Sequence, residues 1–314
     1  MKTTKYTGHI ALFVANIFFG LNNPITRSLM PEPIHPYVIT FFRIGGGIIL
    51  FWLASLFFKK DKVTPKDLLL LFVAAFFSIS VNMIAFFKGL SMTSPIDASI
   101  VVTLLPIASM ILAAFINKEP ITLLKAIGVI VGASGALLLV FTSHGSQIGS
   151  GSLIGNLIVF AAVISFALYL TLFKNLISKY KPVTVMKWMF LFAGIQSYPF
   201  FHSEVAATDF STFDTEIILK LLYIVVIATF VSYQLLAIGQ KVLRPTTLSM
   251  YNYLQPIVAS IVAVALMMDT FGYEKIISAV LVFAGVYIVT QSKSRAQVEA
   301  EKSGIPVDKD AIGN

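Results

Sequence analysis

Arg43 sits in the run PYVITFFRIGGGIILFWLAS, where nearly every neighbour is apolar. A guanidinium stays charged at any ordinary pH and carries five N–H donors, so it requires an anion, a set of carbonyls or water. At the centre of a helix in lipid such a residue costs about 2.5–3.5 kcal/mol, and less near an end. Arg43 lies roughly 10 Å into the run from Pro36 at 1.5 Å per helical residue. It therefore faces a wet cavity, where it can touch an anionic group, or it forms a fixed structural pair or snorkels to the outer surface. Asp97 is the nearest carboxylate in depth and the candidate coupling residue. Paired with Arg43 it would form a switch, because protonating Asp97 would release the arginine.

A second set of candidates consists of amides and phenols deep in apolar runs: Asn22, Asn23, Asn82, Tyr169, Gln196, Tyr233, Gln234, Tyr251, Asn252 and Gln255. Unpaired amides in hydrocarbon are expensive, so these side chains should point inward and line a cavity. The stretch Tyr251-Asn252-Tyr253-Leu254-Gln255-Pro256 is the densest, and Tyr251 and Gln255, four apart, share a helical face. Rings that stack beside amides that donate and accept suit a small polar or aromatic solute. Pro106 and Pro256 fall mid-run, where each removes a backbone donor and kinks its helix, as a hinge or as a static bend. Gly128 and Gly132 form a small-xxx-small pair that lets another helix approach, within the chain or from a second copy.

Several kinds of chemistry are missing. The chain has no cysteine, no HExxH, no GxSxG and no nucleotide-binding glycine loop. His9, His35, His144 and His202 are too scattered for a metal site. No cofactor or metal is called for, and an enzyme is the lesser reading.

The elements that must position these residues are membrane helices. Of 314 residues 57% are hydrophobic and only 12% charged, about half the charge of a soluble domain. Apolar runs long enough for a bilayer core lie near 8–28, 36–58, 67–88, 95–116, 121–142, 153–173, 182–201, 217–240, 245–268 and 273–291, which predicts ten spans. With the N-terminus inside, all but five of the 23 Lys and Arg fall in inner segments; the exceptions are Arg27, Arg43, Lys88, Lys220 and Lys275. By the positive-inside rule both termini are cytoplasmic. The net charge of +8 is thus topology, and no nucleic-acid partner is expected. The first apolar stretch, which lacks a small-x-small cleavage pattern, reads as an uncleaved helix.

The chain also repeats. An offset of 150 residues pairs Pro95 with Pro245, Pro106 with Pro256, Gly89 with Gly239, Glu119 with Asp269, Lys125 with Lys275 and Gly135 with Gly285. An offset of 147 pairs Gly8 with Gly155 and Phe19 with Phe166. Five spans per unit force the two units into opposite orientations, an arrangement suited to alternating access. The expected organisation is a first repeat over 1–141, a linker over 142–152, a second repeat over 153–291 and a disordered cytoplasmic tail over 292–314.

These motifs resemble a known family. The stretch from Phe18 to Arg27, Arg43 in the second run, Gly89 with Ser94-Pro95-Ile96-Asp97-Ala98 and Pro106, and Glu119 with Gly128, Gly132 and Gly135 are similar to the drug/metabolite transporter superfamily, EamA-domain type. The second copy matches at Ser165–Tyr169, Pro256, Asp269 and Gly285. It departs at Met189, near the Arg43 counterpart, and in having Asp269 where glutamate is commoner. The resemblance implies an all-α integral membrane fold with a central cavity, and a gradient-driven exporter of a small metabolite such as an amino acid. It further implies the bacterial inner membrane, with lipid and a small-molecule substrate as partners and a monomer as the favoured state. The alternatives are a membrane-embedded enzyme and a flippase for a lipid-linked substrate.

Overall fold

A computed structural model describes residues 5–58, 61–116, 122–142, 152–242, 251–252, 254–268 and 272–290. Most of the expected linker, all of the expected tail, residues 245–250 of the ninth expected span, Glu119 and Asp269 lie outside the described residues.

Every regular element among the described residues is helical. Helix α1 spans Lys5–Arg27 and α2 spans Pro36–Ser55. Helix α3 (Pro65–Ala75) passes through a π-helical turn, Phe76–Ser80, into α4 (Val81–Met92). Helices α5 (Pro95–Val102) and α6 (Leu105–Ile116) are two halves of one interrupted rod, followed by α7 (Leu123–Thr142). Then come α8 (Leu153–Leu172), the short α9 (Lys174–Lys179) and α10 (Pro182–Ala207). Helix α11 (Thr215–Leu222) continues through a second π segment, Tyr223–Val231, into α12 (Ser232–Val242). Helices α13 (Leu254–Ala265) and α14 (Tyr273–Thr290) complete the order.

Local chemistry sets several of these boundaries. Thr64, Ser94, Ser152 and Asp214 each accept a backbone N–H three residues on, satisfying a donor that a helix start leaves orphaned. Pro36, Pro65, Pro95 and Pro182 occupy first helical positions, where a missing N–H costs nothing.

The exterior identifies the solvent. Ile49, Leu53, Phe57, Leu69, Phe115, Ile130, Ile195, Leu219, Ile261 and Val280 are all exposed, while Asn16, Asn22, Asn23, Arg43, Asn252 and Gln255 are buried. Apolar outside and polar inside is the pattern of a protein solvated by lipid. Among the described residues five helical stretches are long and apolar enough to cross a bilayer: Pro36–Ser55, Pro65–Met92, Pro95–Ile116, Leu153–Leu172 and Thr215–Gly239. The chain is a multi-pass membrane protein.

The helices pack in matched pairs. Helix α4 lies on α8 as α12 lies on α1, and α6 lies on α8 as α13 lies on α1. Helix α2 packs on α10, and α7 on α14. Glycine permits the closest contacts. A Cβ at Gly89 would come within 2.8 Å of the Gly155 carbonyl oxygen, and one at Gly285 within 2.6 Å of the Gly128 oxygen. The Gly128–Gly132 pair therefore receives α14 of the same chain.

Candidate functional site

The site begins with two helix breaks. Pro106 cannot donate to the Val102 carbonyl, and its ring crowds that residue. The rod accordingly opens between α5 and α6, where Thr103 and Leu104 bond three residues back instead of four, to Ile100 and Val101. Pro256 acts likewise on Asn252, which is in a turn, and the Gln255 N–H bonds three residues back to the Asn252 carbonyl at 3.2 Å. Interrupted helices expose polar backbone where a cavity or neighbouring helix can use it.

Between the two breaks lies a cavity of about 150 Å³, of the order that holds one benzene-sized molecule. Arg43, Asn22, Asn23, Asn82, Asn252 and Gln255 line it, with Tyr233 and the rings of Phe19, Phe86, Phe87 and Phe166. Helices α1, α2, α4, α5, α6, α8, α12 and α13 and the turn at Asn252 supply these residues.

Three of the wall amides are held by a bond from their own N–H. Asn23 donates to the Ser99 hydroxyl at 2.8 Å, Asn82 to the Ala162 carbonyl at 2.8 Å, and Gln255 to Asn16 at 2.7 Å. Asn16 is itself anchored to the Leu12 carbonyl at 2.8 Å.

Arg43 is 4% exposed. Its Nη1 donates to Asn22 Oδ1 at 3.1 Å, and its Nη2 to the Ala228 carbonyl at 3.3 Å. The guanidinium lies over the Phe87 ring, 5.1 Å from the centroid. Ala228 belongs to the π-helical segment, where wider turns loosen the carbonyl ladder and leave oxygens for side chains. Thr26 also donates to Asn22 Oδ1, at 3.2 Å, and fixes that amide toward the arginine.

The structure departs from the sequence expectations at defined points. Asp97 does not pair with Arg43. It is fully buried in the first turn of α5, and its cation is Lys275 of α14, at 3.4 Å. Depth along the membrane matched Asp97 to Arg43, but the direction each helix faces separates them. Arg43 turns toward α1 and the π segment, and Asp97 toward α14. Tyr251 lies off the cavity wall and bonds His9 through its hydroxyl at 2.8 Å. Tyr169 backs the wall by packing on Phe166, with centroids 5.4 Å apart. Gln234 is half-buried off the wall, whereas its neighbour Tyr233 is on it. Gln196 bridges Ser80 and the Phe72 carbonyl beside the first π turn.

The phenylalanines of the wall and Asn16 escaped the sequence reading. Phe19 and Phe166 share the 147-residue offset, a usable signal, whereas Phe86 and Phe87 carry none that separates them from lipid-facing rings.

Known proteins resemble this chain. The profile of the EamA-like transporter family matches the chain twice, over residues 6–141 and 153–291. The chain belongs to the EamA-like transporter family. It is 25% identical to an uncharacterized transporter of Archaeoglobus fulgidus, over 82% of this chain and 90% of that one. It is 22% identical to the uncharacterized transporter YetK of Bacillus subtilis, over 91% and 88% of the two chains. The WAT1-related protein At3g02690, chloroplastic, of Arabidopsis thaliana is 26% identical, over 87% and 66%. One crystal structure is alike with a TM-score of 0.63 at 16% identity, covering 91% of this chain and 98% of that chain, a likeness of fold alone. Membership of the drug/metabolite transporter superfamily, expected from the motifs, holds. This EamA-like protein is a transmembrane transporter and not an enzyme.

Proposed function

We propose that this EamA-like transporter moves a small metabolite, an amino acid or a related polar or aromatic solute, outward by alternating access around the cavity. The carrying observation is that both family-matched segments supply walls, and that these walls meet at two proline-broken helices. A site shared by two bodies opens to one side or the other as one body rocks against its partner. The sequence has no nucleotide-binding loop, so an ion or solute gradient drives the cycle.

Ten spans in two inverted repeats fit the helices described, with α3–α4, α5–α6 and α11–α12 each counted as one crossing and the six-residue α9 not counted. Three observations support the inversion. The packing pairs are reciprocal, the π segments at 76–80 and 223–231 lie in related spans, and Gly89 meets Val159 as Gly239 meets Leu12. The distribution of Lys and Arg supports cytoplasmic termini, the proposed location is a bacterial inner membrane, and a monomer suffices because the walls come from one chain.

The test is counterflow of labelled amino acids, nucleobases and organic acids in vesicles containing the purified protein. Saturable exchange above protein-free vesicles is expected for at least one class, and its absence for all would sink the reading. Orientation is checked with Ser211→Cys in this cysteine-free chain. An impermeant thiol reagent should label it in intact cells, and labelling only after the membrane is opened would reverse the topology.

A further inference from the structure

No carboxylate among the described residues balances the charge of Arg43. Its Nη1 and Nη2 meet an amide oxygen and a backbone carbonyl, both neutral dipoles, and its Nε is buried with no acceptor. The ion pairs among the described residues engage Asp61, Asp67, Asp97, Glu204 and Glu216, and none involves Arg43. A buried cation without an anion is among the most expensive arrangements a protein keeps, and membrane proteins keep it where something charged binds. Arg43 also lines the cavity.

We propose that the transported solute carries a carboxylate that docks on the Arg43 guanidinium, with its apolar body among Phe19, Phe86, Phe87 and Phe166. This rests on the transport reading above and names the charge of the substrate. Guanidinium and carboxylate are matched in shape, and their charge-assisted bonds are about twice as strong as neutral ones. The cavity volume limits the body to about one ring. Asn22 serves as a positioning residue: its Oδ1 is turned to Arg43 and held by Thr26, and it keeps the guanidinium in place between visits.

The experiment compares acids with their isosteric amides on purified protein, by thermal shift and calorimetry: benzoate with benzamide, phenylacetate with phenylacetamide, and phenylalanine with phenylalaninamide. At least one acid should bind roughly ten- to a hundredfold more tightly than its amide, the worth of one charged hydrogen-bonded contact. Arg43→Gln should erase the difference. Asn22→Asp sets a carboxylate against Nη1, supplies the missing counter-ion internally, and should abolish acid binding in a protein at least as stable as the wild type. No acid preference in any pair, or a preference that survives Asn22→Asp, overturns the proposal. So does sodium chloride protecting the wild type as well as the acids do, since a simple inorganic anion would then satisfy the site. Counterflow separates the two levels. Exchange of acid and amide alike refutes the carboxylate and leaves transport standing, whereas acid-selective binding without exchange refutes transport and leaves the carboxylate site standing.

Discussion

At the ends of α3 and α10 carboxylates and cations neutralise one another, while in the cavity Arg43 meets two neutral oxygens and the Phe87 ring and, among the described residues, no carboxylate. Asp67 accepts from both the Lys179 ammonium and the Tyr180 hydroxyl. Asp61 accepts from the Lys181 N–H at 3.0 Å and the Thr184 hydroxyl at 2.9 Å, with the Lys181 ammonium 3.7 Å away. Both carboxylates come from the connection between α2 and α4, and Lys179, Tyr180, Lys181 and Thr184 from α9 and the start of α10. This cluster ties distant parts of the chain together, and its charges are matched because nothing else will come to match them. Arg43 is deeper, where an unmatched charge costs more, yet among the described residues it has no carboxylate partner. The difference separates charge used to hold the protein from charge kept for a visitor.

Substitutions can break that contrast, and the largest effect belongs to the cavity. Arg43→Met should reduce exchange of a carboxylate substrate by about a hundredfold or more, the scale of losing one buried charged contact. Its thermal stability should match or exceed the wild type, because an apolar side chain removes an unbalanced buried charge. Loss of folded protein would instead make Arg43 structural. A smaller effect is expected at the opposite wall. Gln255→Ala should lower exchange roughly fivefold, the worth of one neutral hydrogen bond, while folded protein stays in the membrane.

The paired cluster should respond to pH through stability instead. Partial burial would raise the Asp61 pKa, but the Lys181 N–H, the Thr184 hydroxyl and the Lys181 ammonium outweigh it and hold the carboxyl below its ordinary 3.8. A depressed folded-state pKa gives stability that is complete above the ordinary carboxylate range and is lost as pH falls through the folded value. Melting temperature should therefore drop on acidification toward pH 3 less steeply in Asp61→Asn than in the wild type, with exchange at neutral pH unchanged. Equal slopes would remove Asp61 from the linkage. The smallest effect is expected at Tyr251, whose hydroxyl bonds His9 off the cavity wall. Tyr251→Phe should leave exchange within about twofold of wild type, and a larger loss would move the cavity boundary inward.

Much of this was legible before any coordinates. Arg43, Asn22, Asn23, Asn82, Asn252 and Gln255 were expected to face inward, because hydrocarbon penalises polar groups wherever the helix is rotated, and all six meet at one cavity. The same reasoning failed for Tyr169, Gln234 and Tyr251. A phenol tolerates several environments, and Tyr233 and Gln234 are adjacent, so composition could not tell which of the two faced the cavity.

What the sequence determined by itself is one-dimensional. Apolar runs made lipid the solvent, Ser, Thr and Asp with proline set helix starts, Pro106 and Pro256 broke the rods, and the depth of each polar group followed from 1.5 Å per residue. What only the tertiary structure decided is the direction each side chain faces and what stands opposite. Asp97 and Arg43 have similar expected depths and do not meet, because Lys275 and Ala228 reach them from α14 and the π-helical segment. That choice belongs to interhelical packing, which depends on glycine contacts and helix irregularities far away in the chain.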